Sequence, residues 1–518
     1  MPYDYKPFDY VAPKGLSAPE PRHKVIVVGA GPIGLAAALE LANYGVASVV
    51  LDDNNVVSVG SRAICWSKRS LEILDRLGVG DACVQKGVTW KVGRTHHGAR
   101  EVFNFDLLPE DGHKMPAFVN LQQYYVEEYL VAAAQANPLV DLRFKNKVTS
   151  LEQAADHATV SIETPDGEYT LEGEYVLACD GARSPIRQMM GLEFEGVLFE
   201  ERFLIADIEM QADFPSERWF WFEPDFHEGQ SALLHKQPDN IYRIDLQLGW
   251  DTDPEEERKP ERIIPRIEKA VGHSNFKLDW TSIYTFQCRR LKNFVHDRVI
   301  FVGDSAHVVS PFGARGGNGG LQDVDALGWR LARVVKGEST PALLARYDAE
   351  RTFGSDENIA NSSRTTRFMS PRPGAERWFR DAVLALSEHA DFARPMVNSG
   401  RLSLPCRYPL DQAPDDAALP SGTRPGAVAP DAPLGNEWLL DRLAGGFTLL
   451  GLGAEAPEVA GLRRMTLDPT PELRARYLGD APSALYLIRP DQVVAARWQK
   501  AGAEQIAAQL AAIEEGSA

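Results

Sequence analysis

Three short segments, far apart in the chain, carry residue types that could do chemistry together. They are Gly29-Ala-Gly31-Pro-Ile-Gly34, Cys179-Asp180-Gly181-Ala-Arg-Ser184 and Gly303-Asp304-Ser-Ala-His307. The first lies between an apolar run, residues 25–28, and an Ala- and Leu-rich stretch, 34–44. In a strand–turn–helix unit one glycine makes the tight turn, a second lets the backbone approach a pyrophosphate, and a third allows close helix–strand packing. The helix N-terminus then favours the negative charge. Asp52 ends the next apolar run, 47–51, where a carboxylate accepts hydrogen bonds from adenosine ribose hydroxyls and repels a 2′-phosphate. Asp53 is the neighbour that could take the same role. This unit alone specifies a dinucleotide and leaves NAD or FAD open.

The later segments narrow the choice. Each follows an apolar strand, 175–178 or 299–302, and sets a glycine beside an aspartate at its end. Either one alone would be an ordinary turn. A plain NAD enzyme needs neither, whereas a protein that wraps one FAD with widely separated loops needs both. A further loop, Pro311-Phe-Gly313-Ala-Arg-Gly316-Gly317-Asn318, precedes an amphipathic helix expected from near Leu321 to 335. Its amides could face a ring that carries negative charge when reduced.

These segments need a scaffold. Residues 25–51 read as a βαβ unit with the usual connection length. Helices are expected over 67–77 and 123–136. From about 193 to 290 the texture turns to alternating strands, as in 242–248 and 281–288, with an acidic turn and helix at 251–266. Helical segments follow to about 391, then a Pro-rich linker, 404–433. A final unit reads strand 447–452, then helix, a hairpin of 484–488 and 493–498, and a terminal helix over 502–515. The expected class is α/β: a Rossmann-like FAD-binding domain (23–192 and 292–403) after an N-terminal arm (1–22), interrupted by a β-sheet substrate domain (193–291), plus a C-terminal domain (434–518).

Composition bounds the partners. The 518 residues are 44% hydrophobic and 25% charged with a formal charge of −18, which argues against nucleic acid or an anionic membrane as partner. Five scattered cysteines without a C-x-x-C pair argue against a disulfide framework or a metal site and for a reducing compartment. Residues 1–23 do not read as a signal peptide, and the glycines, Pro32, Glu40 and Asn43 make 25–51 a poor membrane span. A cytoplasmic protein is expected; a homodimer is left open.

With these residues in view, the chain resembles the class A flavin-dependent aromatic hydroxylases, in the branch of phenol, polyketide and 3-(3-hydroxyphenyl)propionate hydroxylases. The resemblance covers most of 24–390 and, more weakly, 425–500. It implies FAD as cofactor, with Asp180 near the ribityl chain and nicotinamide path and Asp304 on the ribityl. It implies Arg62 near the flavin phosphates, Gln123 as a flavin-contacting glutamine, and 311–318 against the pyrimidine edge. Reduction by NADH or NADPH, addition of O2 to give a C4a-hydroperoxide, and attack on an electron-rich ring are implied in turn. No second Gly-rich fingerprint occurs, consistent with transient NAD(P)H docking. The final unit resembles a thioredoxin-like domain, without any cysteine.

The substrate pocket is expected in the strand-rich region. Trp219, Phe220, Trp221, Phe222, His235, Tyr242, Arg243, Tyr284 and Phe286 are candidates, with sheet packing as the alternative for each aromatic. Arg243 could bind a substrate carboxylate bidentately or pair with Asp245 on the same strand face. Pro311 matches the family proline whose carbonyl lies near the reacting phenol. His307 is read as fixing the turn after Asp304. Related flavin oxygenations (epoxidation, Baeyer–Villiger insertion or oxidative decarboxylation) and a non-catalytic flavin-binding protein remain the alternatives, as does halogenation, because Trp219-Phe-Trp221-Phe-Glu-Pro224 approximates a halogenase signature.

Overall fold

The computed structural model describes residues 3–249, 252–397, 402, 404–410 and 412–516; the side chains at 199–201 and 286, including the expected pocket residue Phe286, lie outside the described part. Val25, Ile26 and Val27 have no exposed surface, as expected of a parallel strand covered on both faces. Their strand, His23–Val28, sits near the middle of the first sheet, between Gly167–Ala178 and Ser48–Asp52. Val299–Phe301 lies beyond the former and Val140–Phe144 beyond the latter. All four pairings are parallel. Helix Pro32–Asn43 starts from Gly31, and Gln123–Ala136 spans the residues its spacing predicts.

The second sheet has eight strands. Its centre is antiparallel: Glu195–Glu209 lies between Lys277–Arg290 and Ile241–Leu248, followed by Ser231–Lys236 and Arg218–Phe222. It extends beyond the expected 193–291. Hairpin Val92–His97 and Arg100–Asp106 joins it through a parallel pairing with Arg218–Phe222. That pairing is made by residues more than a hundred positions apart, and neither strand's own pattern announces it.

Two expectations change near the C-terminus. The segment 404–433 is not a free spacer: Tyr408 is buried and its hydroxyl accepts from the buried Arg351 at 2.9 Å, while Gly426 N–H donates to Val494 O. Between Thr448–Leu452 and the hairpin the final unit inserts an unexpected strand, Arg463–Leu467, which pairs parallel to Thr448–Leu452, and then the expected helical stretch, Pro471–Leu473 continuing into Arg474–Leu478. Its sheet runs Arg463–Leu467, Thr448–Leu452, Ala484–Ile488, Val494–Trp498, the last two joined antiparallel. The turn between them reaches into the main body, where Glu350 accepts from Arg489 and Arg330, and Asp491 accepts from Arg489 and Trp329.

The N-terminal arm is also packed. Phe8 stacks on Phe144 with ring centroids 4.7 Å apart, and the Tyr5 hydroxyl accepts the Gly60 N–H at 3.0 Å. No helix among the described residues is long and apolar enough to cross a membrane.

Candidate functional site

Strand register explains why the three segments meet. Ala178 pairs with both Val28 and Phe301, and Val28 pairs with Leu51, so four neighbouring strands end level. Gly303, Asp180, Gly29 and Asp52 therefore emerge side by side along one edge, in that order. At ~4.8 Å per strand the edge is about 14 Å long. In parallel sheets the carboxyl edge is where ligands bind.

The three glycines of the first turn differ in why they are glycine. Gly29 has φ +104°, and a Cβ on it would sit 2.5 Å from Cys179 O. A Cβ on Gly34 would sit 1.9 Å from Gly29 O, because the helix rests directly on the turn. Gly31 has φ −73° and ψ −178°, open to any residue, and no protein atom lies within 4 Å of where its Cβ would be. Neither backbone nor packing demands glycine there; open space does.

Asp52 braces this turn, accepting from Ala30 N–H at 2.6 Å and Asn54 N–H at 2.8 Å. Burial lifts its pKa to about 6. Each oxygen retains a lone pair for a ligand hydroxyl, while Asp53 is exposed. Asp180 caps helix Pro185–Met189 through Oδ2, which accepts from Ile186 N–H at 3.0 Å. Its Oδ1 is buried and makes no hydrogen bond.

Asp304 is surrounded by protein, and burial raises its pKa, yet its surface is open and its carboxylate has no hydrogen-bond partner among the described residues. Such a group faces an internal cleft. The turn that presents it is held by the buried Asp323, which accepts from Gly303 N–H (2.9 Å), His307 Nε2 (2.7 Å) and Arg351 Nε (2.6 Å). His307 thus fixes the turn.

The helix after the 311–318 loop begins at Gly316, five residues earlier than its sequence suggests. Glycines are poor helix formers; tertiary bonds secure the first turn. Asn318 accepts from Ser67 N–H and donates to Cys65 O, each at 2.9 Å, so its side chain is a brace. The N–H groups of Gly316, Gly317 and Asn318 have no acceptor among the described residues, and an added Cβ on Gly316 would lie 4.0 Å from Asp304 Oδ1. Gly313, at φ +99°, turns the loop, and Ala314 N–H donates to Pro311 O at 3.0 Å.

Across from this helix end is the loop bearing Arg62, exposed and at φ +21°. Gln123 positions that loop: its Oε1 accepts from Ala63 N–H and its Nε2 donates to Ser58 Oγ and Glu127. Glu127, one turn along, is buried and accepts from both Ser58 N–H and Ser58 Oγ. The Gln–Glu i,i+4 spacing was a signal for this second brace that sequence reasoning missed.

Beyond the 311–318 loop a cleft opens between the second sheet and helix Ala342–Met369. Phe105, Phe220, Phe222, Phe312, Phe368 and Met369 make its apolar walls. Arg94, Arg218, Arg315 and Arg364 also line it, and no carboxylate does among the described residues. Trp219 and Trp221 point away from it; they pack with His96 and with Phe214 and Phe226, which accounts for the halogenase-like spelling as sheet packing.

Four further expected substrate residues do not line the cleft. Tyr242 is buried with its hydroxyl on Ala212 O. Arg243 donates to Asp245 at 3.0 Å and to Arg62 O at 2.8 Å, so its charge is matched on its own strand and it holds the Arg62 loop. His235 is buried, its pKa pushed well down by burial with the Arg218 and Arg243 charges adding. Tyr284 packs beside the Phe203–Phe312 cluster. Among the described residues no three His, Cys, Asp or Glu side chains are grouped to hold a metal ion.

Known proteins are similar to this chain in sequence and in fold. A family model described as FAD binding domain matches residues 22–362. The chain is 26% identical to a 3-(3-hydroxy-phenyl)propionate/3-hydroxycinnamic acid hydroxylase of Mycolicibacterium smegmatis over 70% of this chain and 64% of that one, so it spans a little under two thirds of that relative. It is 29% identical to a flavin-dependent monooxygenase of Mycobacteroides abscessus over 90% of this chain and 95% of that one. In fold it is similar to the flavin-dependent monooxygenase PieE, solved with FAD and substrate (TM-score 0.79, 22% identity, 96% and 99% of the two chains).

Proposed function

The chain belongs to the FAD binding domain family, and from that premise we propose that it is an NAD(P)H-dependent flavoprotein monooxygenase hydroxylating a substituted phenol or related aromatic. One atom of O2 enters a ring C–H bond, the other leaves as water, and NAD(P)H is oxidised. The observation that carries this reading is that the cofactor edge and the aromatic cleft share one wall, the 311–318 loop.

The residues fit FAD. Gly31 leaves backbone space for a pyrophosphate, and Asp52 has lone pairs for ribose hydroxyls. The buried Asp180 Oδ1 without a partner and the open Asp304 carboxylate supply acceptors farther along the edge, where the ribityl chain needs them. Bound FAD supplies the electron transfer from NAD(P)H and the activation of O2. The chain's own work is to hold, orient and exclude. The N–H groups of Gly316, Gly317 and Asn318, unpartnered among the described residues at a helix N-terminus, would favour negative charge on a bound flavin. Arg62 adds a cation on the opposite side. The phenylalanine walls exclude water and present the ring. A phenol with pKa ~10 costs roughly 4 kcal/mol to ionise at pH 7, so a placed acceptor matters. Pro311 O spends one lone pair on Ala314 N–H and keeps the other for a substrate hydroxyl.

We read the C-terminal unit as thioredoxin-like in strand order, with the first helix of that fold missing. It contains no cysteine, so its role is packing against the main body. Cys65, Cys83, Cys179 and Cys288 are free thiols, which supports a reducing, cytoplasmic setting. Reconstitution with FAD should give a yellow protein whose NAD(P)H oxidation is stimulated by a phenol; a protein that stays colourless refutes the reading.

A further inference from the structure

Arg218 is a charged residue of the second sheet, on strand Arg218–Phe222. It is 9% exposed, it lines the aromatic cleft, and its Nε is buried without a hydrogen-bond partner among the described residues. No ion pair to it exists among the described residues. The period of two in Arg218-Trp-Phe-Trp-Phe222 puts Arg218, Phe220 and Phe222 on one face, and that face looks into the cleft.

Cross-strand neighbours do not neutralise it. Arg218 pairs with His235 and His235 with Arg243, giving a row across three strands. Asp245 is the carboxylate nearest that row, and it is bonded to Arg243. Burial and the two arginines keep His235 neutral. Of the other arginines in the cleft, Arg94 is paired with Glu217 and Glu101, Arg315 donates to Asn358 Oδ1, and Arg364 is exposed. A buried cation with no counter-charge is costly, and no carboxylate stands in the cleft wall among the described residues. An anion entering the cleft would answer it.

We propose that Arg218 recognises a carboxylate on the substrate, so that this cleft takes an aromatic acid and the ring lies among Phe220, Phe222 and Phe312. A guanidinium offers a planar fork that meets a carboxylate through two parallel hydrogen bonds. This inference rests on the monooxygenase reading and deepens it by naming the substrate class. It makes Arg218, not Arg243, the specificity residue.

The test uses the FAD-loaded full chain and a panel of hydroxybenzoates, hydroxyphenylacetates and hydroxyphenylpropionates, each beside its primary amide. Affinity is read from the change in flavin absorbance on binding, without turnover. The wild type should bind at least one acid roughly 10–100-fold more tightly than its amide, the range for a charge-assisted pair. In Arg218→Gln, with FAD content and melting temperature as folding controls, that ratio should fall to about one. Arg218→Lys should fall between, and millimolar guanidinium should partly restore the ratio in Arg218→Ala. A wild type that binds amides as well as acids overturns the inference even if no variant folds. So does an Arg218→Gln protein that keeps the preference. Failure of the monooxygenase reading would look different: no flavin bound, or no phenol of either kind stimulating NAD(P)H oxidation.

Discussion

Gly31 is the residue at which a ligand's demand and a protein's demand come apart most cleanly. Its φ of −73° and ψ of −178° suit any amino acid, and no protein atom lies within 4 Å of an added Cβ. By folding alone, alanine there should be neutral or stabilising by about 0.4–1 kcal/mol through the unfolded chain. If the space is where the pyrophosphate lies against the backbone, the methyl group displaces it and forfeits at least one charge-assisted N–H bond. Such a bond is worth roughly 1.5–3 kcal/mol, or about 10–100-fold in FAD affinity. Gly34→Ala is the contrasting variant. Its Cβ would stand 1.9 Å from Gly29 O, so the helix must lift off the turn. Overpacking of that kind costs about 1–3 kcal/mol or more, and stability should fall with affinity. The assay is a fluorescence titration of apoprotein with FAD, paired with thermal melts of the apoprotein by circular dichroism. The expected pattern is affinity lost without stability for Gly31→Ala and both lost for Gly34→Ala. Gly31→Ala protein that binds FAD within twofold of wild type, or melts several degrees lower, refutes the reasoning.

Other outcomes follow from the buried charges. Asp323→Asn strips the carboxylate from Arg351 and loosens the Gly303–Asp304 turn; urea unfolding should show a loss of about 3–5 kcal/mol. Glu350→Gln leaves Arg330 and Arg489 sharing Asp491, and should cost a similar ~3–5 kcal/mol and expose the 489–492 turn to limited proteolysis. Asp207 is buried, which raises its pKa to about 6 from an ordinary 3.8. Its folded value is above its unfolded value, so the proton stabilises the fold at low pH and that contribution is lost as pH rises from about 4 through 6. The change amounts to about 3 kcal/mol. Asp207→Asn should remove that part of the slope between pH 4 and 6 in urea unfolding; an unchanged slope contradicts it.

What could be read in advance was local. The glycine turn, Asp52, and the Gly–Asp pairs after apolar runs are short-range patterns, and the strands and helices that bear them lie within a few residues of their expected positions. The level ending of four strands was not legible, because register is set by pairings between residues up to 150 apart. Helix Gly316–Val335 starts among glycines because Asn318 is tied to strand Cys65–Ser67, a contact about 250 residues distant in sequence. Arg218 was within reach. Period two places it with Phe220 and Phe222, and only the cleft between the sheet and helix Ala342–Met369 distinguishes that face from the one bearing Trp219 and Trp221. Arg243 carries the same chemistry by type and shows why type is insufficient: Asp245, two residues on, already holds its charge.

The central claim is that the cofactor edge and the aromatic cleft form one oxygenating site. The direct measurement is the product mass after turnover of the FAD-loaded protein with NAD(P)H and a phenolic acid under isotopically heavy oxygen gas in ordinary water. One heavy oxygen atom in a newly hydroxylated ring is the predicted result. Oxidation of NAD(P)H with an unchanged aromatic, or a product whose new oxygen comes from water, would contradict it.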